Sequence, residues 1–128
     1  MQVKFGYVLL FVENIERSIA FYTLALGLPL RFHDGHYAEM ETGATSLGFV
    51  SRSFAATQFP HPMPPPGQSS SEIGLVVARA EVDSLYEQAL AGGATSVLAP
   101  LERPWGQRVS YVRDPDGHLV EICSPIGA

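Results

Sequence analysis

The chain has 128 residues, 46% of them hydrophobic, which suffices for one core and is too short for two conventional domains. A formal charge of −5 argues against nucleic acid and anionic membrane surfaces as partners, and no apolar run approaches the roughly 20 residues that span a bilayer. The amino-terminal stretch shows no small-residue cleavage site, so a cytoplasmic location is expected, and the single cysteine, Cys123, excludes an intrachain disulfide.

In chain order, Val8, Leu10, Phe11 and Val12 predict a largely buried strand. Asn14 then caps a helix with Ile15, Ile19, Tyr22 and Leu26 on one face, and Gly27 stops it. Short strands follow over residues 28–33, 37–42 and 45–51, the first two joined by Asp34-Gly35, a strong hairpin signal. Residues 53–70 contain Pro60, Pro62, Pro64, Pro65 and Pro66, which exclude a helix or a central strand and mark a linker. Phe54, Phe59 and Met63 within it either pack over a cleft or a partner subunit or pin the loop to its own core, and His61 reads as loop.

The second half repeats the first. Residues 7–27 lie on residues 72–92 at a constant offset of 65 positions, so Val8, Leu10, Phe11 and Val12 fall on Ile73, Leu75, Val76 and Val77. A helix with Val82, Leu85, Tyr86, Ala89 and Leu90 on one face ends at Gly92 and Gly93. Strands are then predicted over 95–98, 108–113 and 118–123, the last two joined by the turn Asp114-Pro115-Asp116-Gly117. Residues 46–51 align on 119–124 with an offset of 73. Each half is a βαβββ unit that buries only one face of its sheet alone, so an α+β protein follows: a single domain over 1–128, with module 1 about 3–52, the linker 53–70 and module 2 about 71–125.

The stretch Val12-Glu13-Asn14-Ile15-Glu16-Arg17-Ser18-Ile19-Ala20-Phe21-Tyr22 with Leu26-Gly27-Leu28 resembles the first-module signature of the vicinal oxygen chelate superfamily, the glyoxalase, bleomycin-resistance and dioxygenase family. Pro104-Trp105-Gly106, Asp114-Pro115-Asp116-Gly117 and the strand through Glu121 resemble its second-module signature. The resemblance implies two tandem βαβββ modules whose mixed sheets curl around a central cleft, commonly in homodimers. It fixes no reaction, because the family includes glyoxalase I, extradiol dioxygenases, epimerases and drug-sequestering proteins without catalysis.

In metal-dependent members of that family one ligand comes from the first strand of each module and one from its last. Those positions are Tyr7, Gly48, Glu72 and Glu121 here, and the duplication independently pairs Tyr7 with Glu72 and Gly48 with Glu121. A divalent first-row metal needs several donors at about 2.0 to 2.2 Å. Gly48 has none and a neutral phenol is a poor one, so no cofactor is favoured; a divalent metal, if bound, would use Glu72 and Glu121. The same two glutamates are candidates for general acid and base work, since neighbouring carboxylates repel and one takes up a proton.

Around them, strand parity puts Leu119 and Cys123 on the face of Glu121, and Leu9 and Phe11 on the face of Tyr7. Trp105 and Arg108 suit a planar or anionic ligand, and Gly48 is counted among the ligand-binding positions. Cys123 reads as a wall residue rather than a nucleophile, and His33 and His36, flanking Asp34-Gly35, as an exposed hairpin rather than a metal clip. The expectation is a metal-free small-molecule binding protein that holds an apolar or aromatic ligand between its sheets. The alternative is a glyoxalase-like lyase or isomerase that uses Glu121 and Glu72 as metal ligands or as acid and base.

Overall fold

The structure, a computed structural model, describes residues 1–58 and 64–127. Phe59, His61 and Met63 of the predicted linker lie outside the described residues. Two compact units are present, Met1–Pro64 and Pro65–Ala128.

In the first unit, β1 (Tyr7–Val12) turns Leu10 and Val12 inward and leaves Tyr7 exposed, the period-two pattern of a strand with one covered face. Asn14 Oδ1 accepts the Arg17 amide at 2.9 Å and so caps α1 (Ile15–Ala20). The sequence predicts one continuous helix to Leu26, but the chain widens into a π turn over Phe21–Ala25. There Thr23 Oγ1 donates back to the Ile19 carbonyl at 2.7 Å, competing with the regular ladder. The wider turn brings Phe21, Tyr22 and Ala25 together into the core, a broader stripe than the four predicted positions.

β2 (Leu30–His33) and β3 (Tyr37–Met40) form the hairpin signalled by Asp34-Gly35, with Asp34 Oδ1 accepting the His36 and Tyr37 amides and Gly35 at φ 95°. β4 (Ser46–Ser51) runs antiparallel to β3 and parallel to β1, which gives the order β1-β4-β3-β2. Its end carries a departure from expectation: a short helix, α2 (Arg52–Ala55), occupies the start of the predicted linker. Ser51 caps it by accepting the Phe54 amide at 3.3 Å, and the prolines that forbid a helix begin only at Pro60.

The second unit repeats this plan. β5 (Ile73–Val76) is followed by a 3-10 turn over Arg79–Glu81 and by α3 (Val82–Ala91), whose Val82, Tyr86 and Ala89 are buried. β6 (Thr95–Arg103), β7 (Gln107–Arg113) and β8 (Leu119–Cys123) complete a sheet of order β5-β8-β7-β6, with β5 parallel to β8. β6 is much longer than the predicted 95–98. Pro100 lies where its register against β7 shifts, between Leu98 and Leu101, on an edge strand where proline is tolerated. Val112, Val120 and Ile122 are fully buried on the face that meets α3.

The architecture is therefore α+β, two tandem βαβββ modules, each a mixed four-stranded sheet with its helix on one face. No helix among the described residues is long and apolar enough to cross a membrane.

Candidate functional site

The face of the second sheet opposite α3 gathers the ionisable groups. The parallel register sets Gly74 beside Glu121, and the antiparallel register sets Tyr111 beside Glu121 on the other side. A Cβ at position 74 would meet Glu121 Oε1 at 3.6 Å, so the carboxylate lies over the bare glycine. The Tyr111 hydroxyl is 3.2 Å from Glu72 Oε2, 3.3 Å from Glu72 Oε1 and 3.3 Å from Glu121 Oε2. It has one proton for two carboxylates.

The electrostatics follow from that crowding. Burial, and after it the Glu72 carboxylate, raise the proton affinity of Glu121 above the usual carboxylate range. Burial and the two glutamates push the Tyr111 phenol up to about 12, so it stays a donor. Cys123, buried, donates weakly to the Leu75 carbonyl at 3.8 Å, and its thiol is pushed up to about 11 by burial and then by Glu121, which disfavours a thiolate.

The equivalent face of the first sheet is a closed network instead. The register of β2 against β3 slips between Leu30 and Phe32, and this bulge aims Arg31 at β3. Arg31 Nε donates to Glu39 at 3.0 Å, one terminal nitrogen contacts Glu41 at 3.3 Å and the other contacts the Ser46 hydroxyl. Tyr37 donates to Glu39 at 2.8 Å. The hydrogen bonds from Tyr37 and Arg31 hold the Glu39 carboxyl below its ordinary range, whereas burial and Glu39 push the Tyr37 phenol up to about 12.

Gly48 differs from its counterpart Glu121 in space as well as in chemistry. A Cβ built there would come within 2.8 Å of Leu9 Cδ2 and 2.8 Å of the Ala38 carbonyl oxygen, so no space is left beside it. Tyr7 stands exposed at the start of β1, with Leu9 and Phe11 following on its face. Leu119 and Cys123 share the face of Glu121.

Arg108 is not brought to this group. It alternates with Tyr111 onto the helix side of β7 and makes a two-pronged pair with Asp83 of α3, at 2.6 and 2.8 Å. Trp105 lies in the β6–β7 turn, and its indole N–H donates to Gln107 Oε1 at 2.8 Å. His33 and His36 diverge, one lying 3.7 Å from Glu16 and the other stacking on Phe54 at 5.4 Å.

Sequence reasoning passed over Tyr111, although a signal existed: with the turn at Asp114 to Gly117 fixed, counting back along β7 puts Tyr111 opposite Glu121. It also passed over Arg31, Tyr37 and Glu39, whose meeting depends on a bulge that no local signal announces.

A family model for the glyoxalase-like domain matches residues 5–127, nearly the whole chain. The chain belongs to the glyoxalase-like domain family. The uncharacterized protein YraH of Bacillus subtilis (strain 168) is 29% identical over 94% of this chain and 97% of its own length. An uncharacterized protein of Mycolicibacterium smegmatis is 30% identical over 93% and 91%. Among solved structures, a glyoxalase-related enzyme from Fulvimarina pelagi superposes with a TM-score of 0.87 at 24% identity, covering 97% of this chain and 88% of that one, which speaks for the shared fold.

The resemblance would place metal ligands at Tyr7, Gly48, Glu72 and Glu121, a set that offers two carboxylates, one phenol and no donor at position 48. Gly48 offers neither donor nor room, and the two carboxylates are already joined through Tyr111. Among the described residues no group of three or more His, Cys, Asp or Glu is placed to hold a metal.

Proposed function

We propose that this chain is a metal-free small-molecule binding protein of the glyoxalase and bleomycin-resistance type. The ligand is a mostly apolar or aromatic compound lying against the helix-free face of the second sheet, with Leu119 and Cys123 among its contacts. Its hydrogen-bond donor, a hydroxyl or a protonated amine, is received by Glu72 and Glu121. A cytoplasmic homodimer is the form proposed for it.

The observation that carries this reading is the pair of glutamates sharing one phenol. Among the described residues no Lys, Arg or His pairs with either, whereas Arg31, Arg52, Arg79 and Arg108 each have a carboxylate partner. Two acceptors held together without a cation favour an incoming donor. The test is a thermal-shift comparison of benzylamine with benzyl methyl ether as probes. Stabilisation by the amine that Glu121→Gln abolishes supports the reading, and equal or absent shifts for both probes contradict it.

A second reading, a lyase or isomerase, rests on one specific observation: the raised proton affinity of Glu121 beside Glu72, the condition for general acid and base exchange. It requires solvent deuterium to enter a carbon next to a carbonyl in wild-type protein and not in Glu121→Gln.

A further inference from the structure

The β6–β7 hairpin carries a cation, Arg103, whose Nε has no acceptor among the described residues. Arg103 and Gln107 are cross-strand partners, joined by the three-residue turn Pro104-Trp105-Gly106, with Gly106 at φ 84° and its amide donating to the Arg103 carbonyl at 3.0 Å. Cross-strand partners leave the sheet on the same side, so Arg103 shares the face of Gln107, Val109 and Tyr111.

The Arg103 guanidinium carbon lies 5.7 Å from the centroid of the Trp105 ring. Its Nε is buried and, among the described residues, has no hydrogen-bond partner. A buried guanidinium N–H without an acceptor is costly, and native structures seldom keep one without a use. Neighbouring cations are all satisfied: Arg79 by Glu102 and the Gly106 carbonyl, Arg108 by Asp83, and Arg113 by the Gly117 carbonyl.

Beside this orphan donor stands an oriented aromatic surface. Trp105 is 55% exposed, yet its ring is fixed by the bond to Gln107 Oε1, and the Gln107 amide is itself anchored by donation to the Ser124 carbonyl at 2.9 Å. A guanidinium whose Nε lacks an acceptor among the described residues and an exposed indole held in place match a flat molecule that carries an oxyanion.

We propose that Arg103, Trp105 and Gln107 form a subsite for an aromatic carboxylate. Arg103 donates to the carboxylate oxygens, Trp105 stacks on the ring, and Gln107 is a positioning residue that holds the indole. The assignment rests on the reading of the chain as a small-molecule binder but not on the role of Glu121.

Trp105 is the single tryptophan of the chain, so its fluorescence reports this subsite alone. The full-length protein is titrated with benzoate and with the neutral benzamide. The expected result is saturable quenching by benzoate, with benzamide and Arg103→Lys each weaker by about tenfold because the fork geometry or the anion is lost. Arg108→Ala, on the opposite face, binds benzoate like wild type. Arg103→Lys keeps a charge and a stem, so its loss is read on folded protein with an unchanged melting midpoint. Absence of saturable quenching by benzoate, equal binding of benzamide, or wild-type affinity in Arg103→Lys overturns the proposal. Benzoate binding that survives Glu121→Gln, alongside failure of the amine test, sinks the glutamate reading and leaves this subsite standing.

Discussion

Leu9 lies across Gly48, its Cδ2 within 2.8 Å of where a side chain on that glycine would begin. In the second module the relation is inverted, for Gly74 takes the place of Leu9 and Glu121 that of Gly48, with the carboxylate resting over the glycine. The duplicated scaffold thus holds one large and one small residue at each paired position, but only the second copy puts an ionisable group there.

Gly48→Ala is therefore expected to destabilise the protein by about 1–3 kcal/mol, because the Ala38 carbonyl belongs to the backbone and does not swing aside. Urea denaturation measures it. An unchanged midpoint would show that the sheet accepts a side chain there.

Removing the phenol in Tyr111→Phe is expected to raise the Glu121 proton affinity further, since the Tyr111 hydrogen bond opposes the upward push of burial and of Glu72. Carbon-detected NMR titration of the glutamate carboxyls reads the shift. A downward movement would contradict the proposed sharing of one proton.

Glu121 also sets a sign for stability against pH. Its folded-state proton affinity is raised, so its contribution is fully present below the unfolded value and is lost as pH rises through the folded one. Glu39 and Asp83, whose values are lowered, act in the opposite sense, with stability lost as pH falls. The wild-type midpoint minus that of Glu121→Gln is thus expected to decline as pH rises above the ordinary carboxylate range, the other groups cancelling. A flat or rising difference would argue against the raised value.

Much of this fold was legible because it is written twice. The offset of 65 positions carries strand, cap and helix together, and the turns at Asp34-Gly35 and Asp114 to Gly117 mark hairpins by residues that suit few other conformations. What escaped depended on neighbours distant in sequence. The Thr23 back-bond widens a helix that propensity alone would continue, and a register slip aims Arg31 at Glu39. Arg103 and Arg108 are both cations near Trp105 in sequence, and only the strand register separates the one facing Tyr111 from the one bound to Asp83.

The turn after β7 is also a fixed point for the linker. Gly117 has φ 87°, and a Cβ there would meet the Gly67 backbone at 2.5 Å, while Ser69 and Arg113 both donate to its carbonyl. Gly117→Ala is expected to cost about 1–3 kcal/mol through strain and displacement of residues 66–69. Calorimetry and limited proteolysis of that segment report it, and unchanged melting with unchanged proteolysis would show that the segment is not held there.

Metal content, measured on protein purified without chelators together with the melting midpoint in the presence and absence of divalent ions, decides whether the protein works without a metal. A metal-free protein shows no stoichiometric metal and no upward shift, because tight binding to the native state necessarily raises the midpoint. One equivalent of metal that disappears in Glu121→Ala would contradict the metal-free reading and place Glu72 and Glu121 in a metal centre instead.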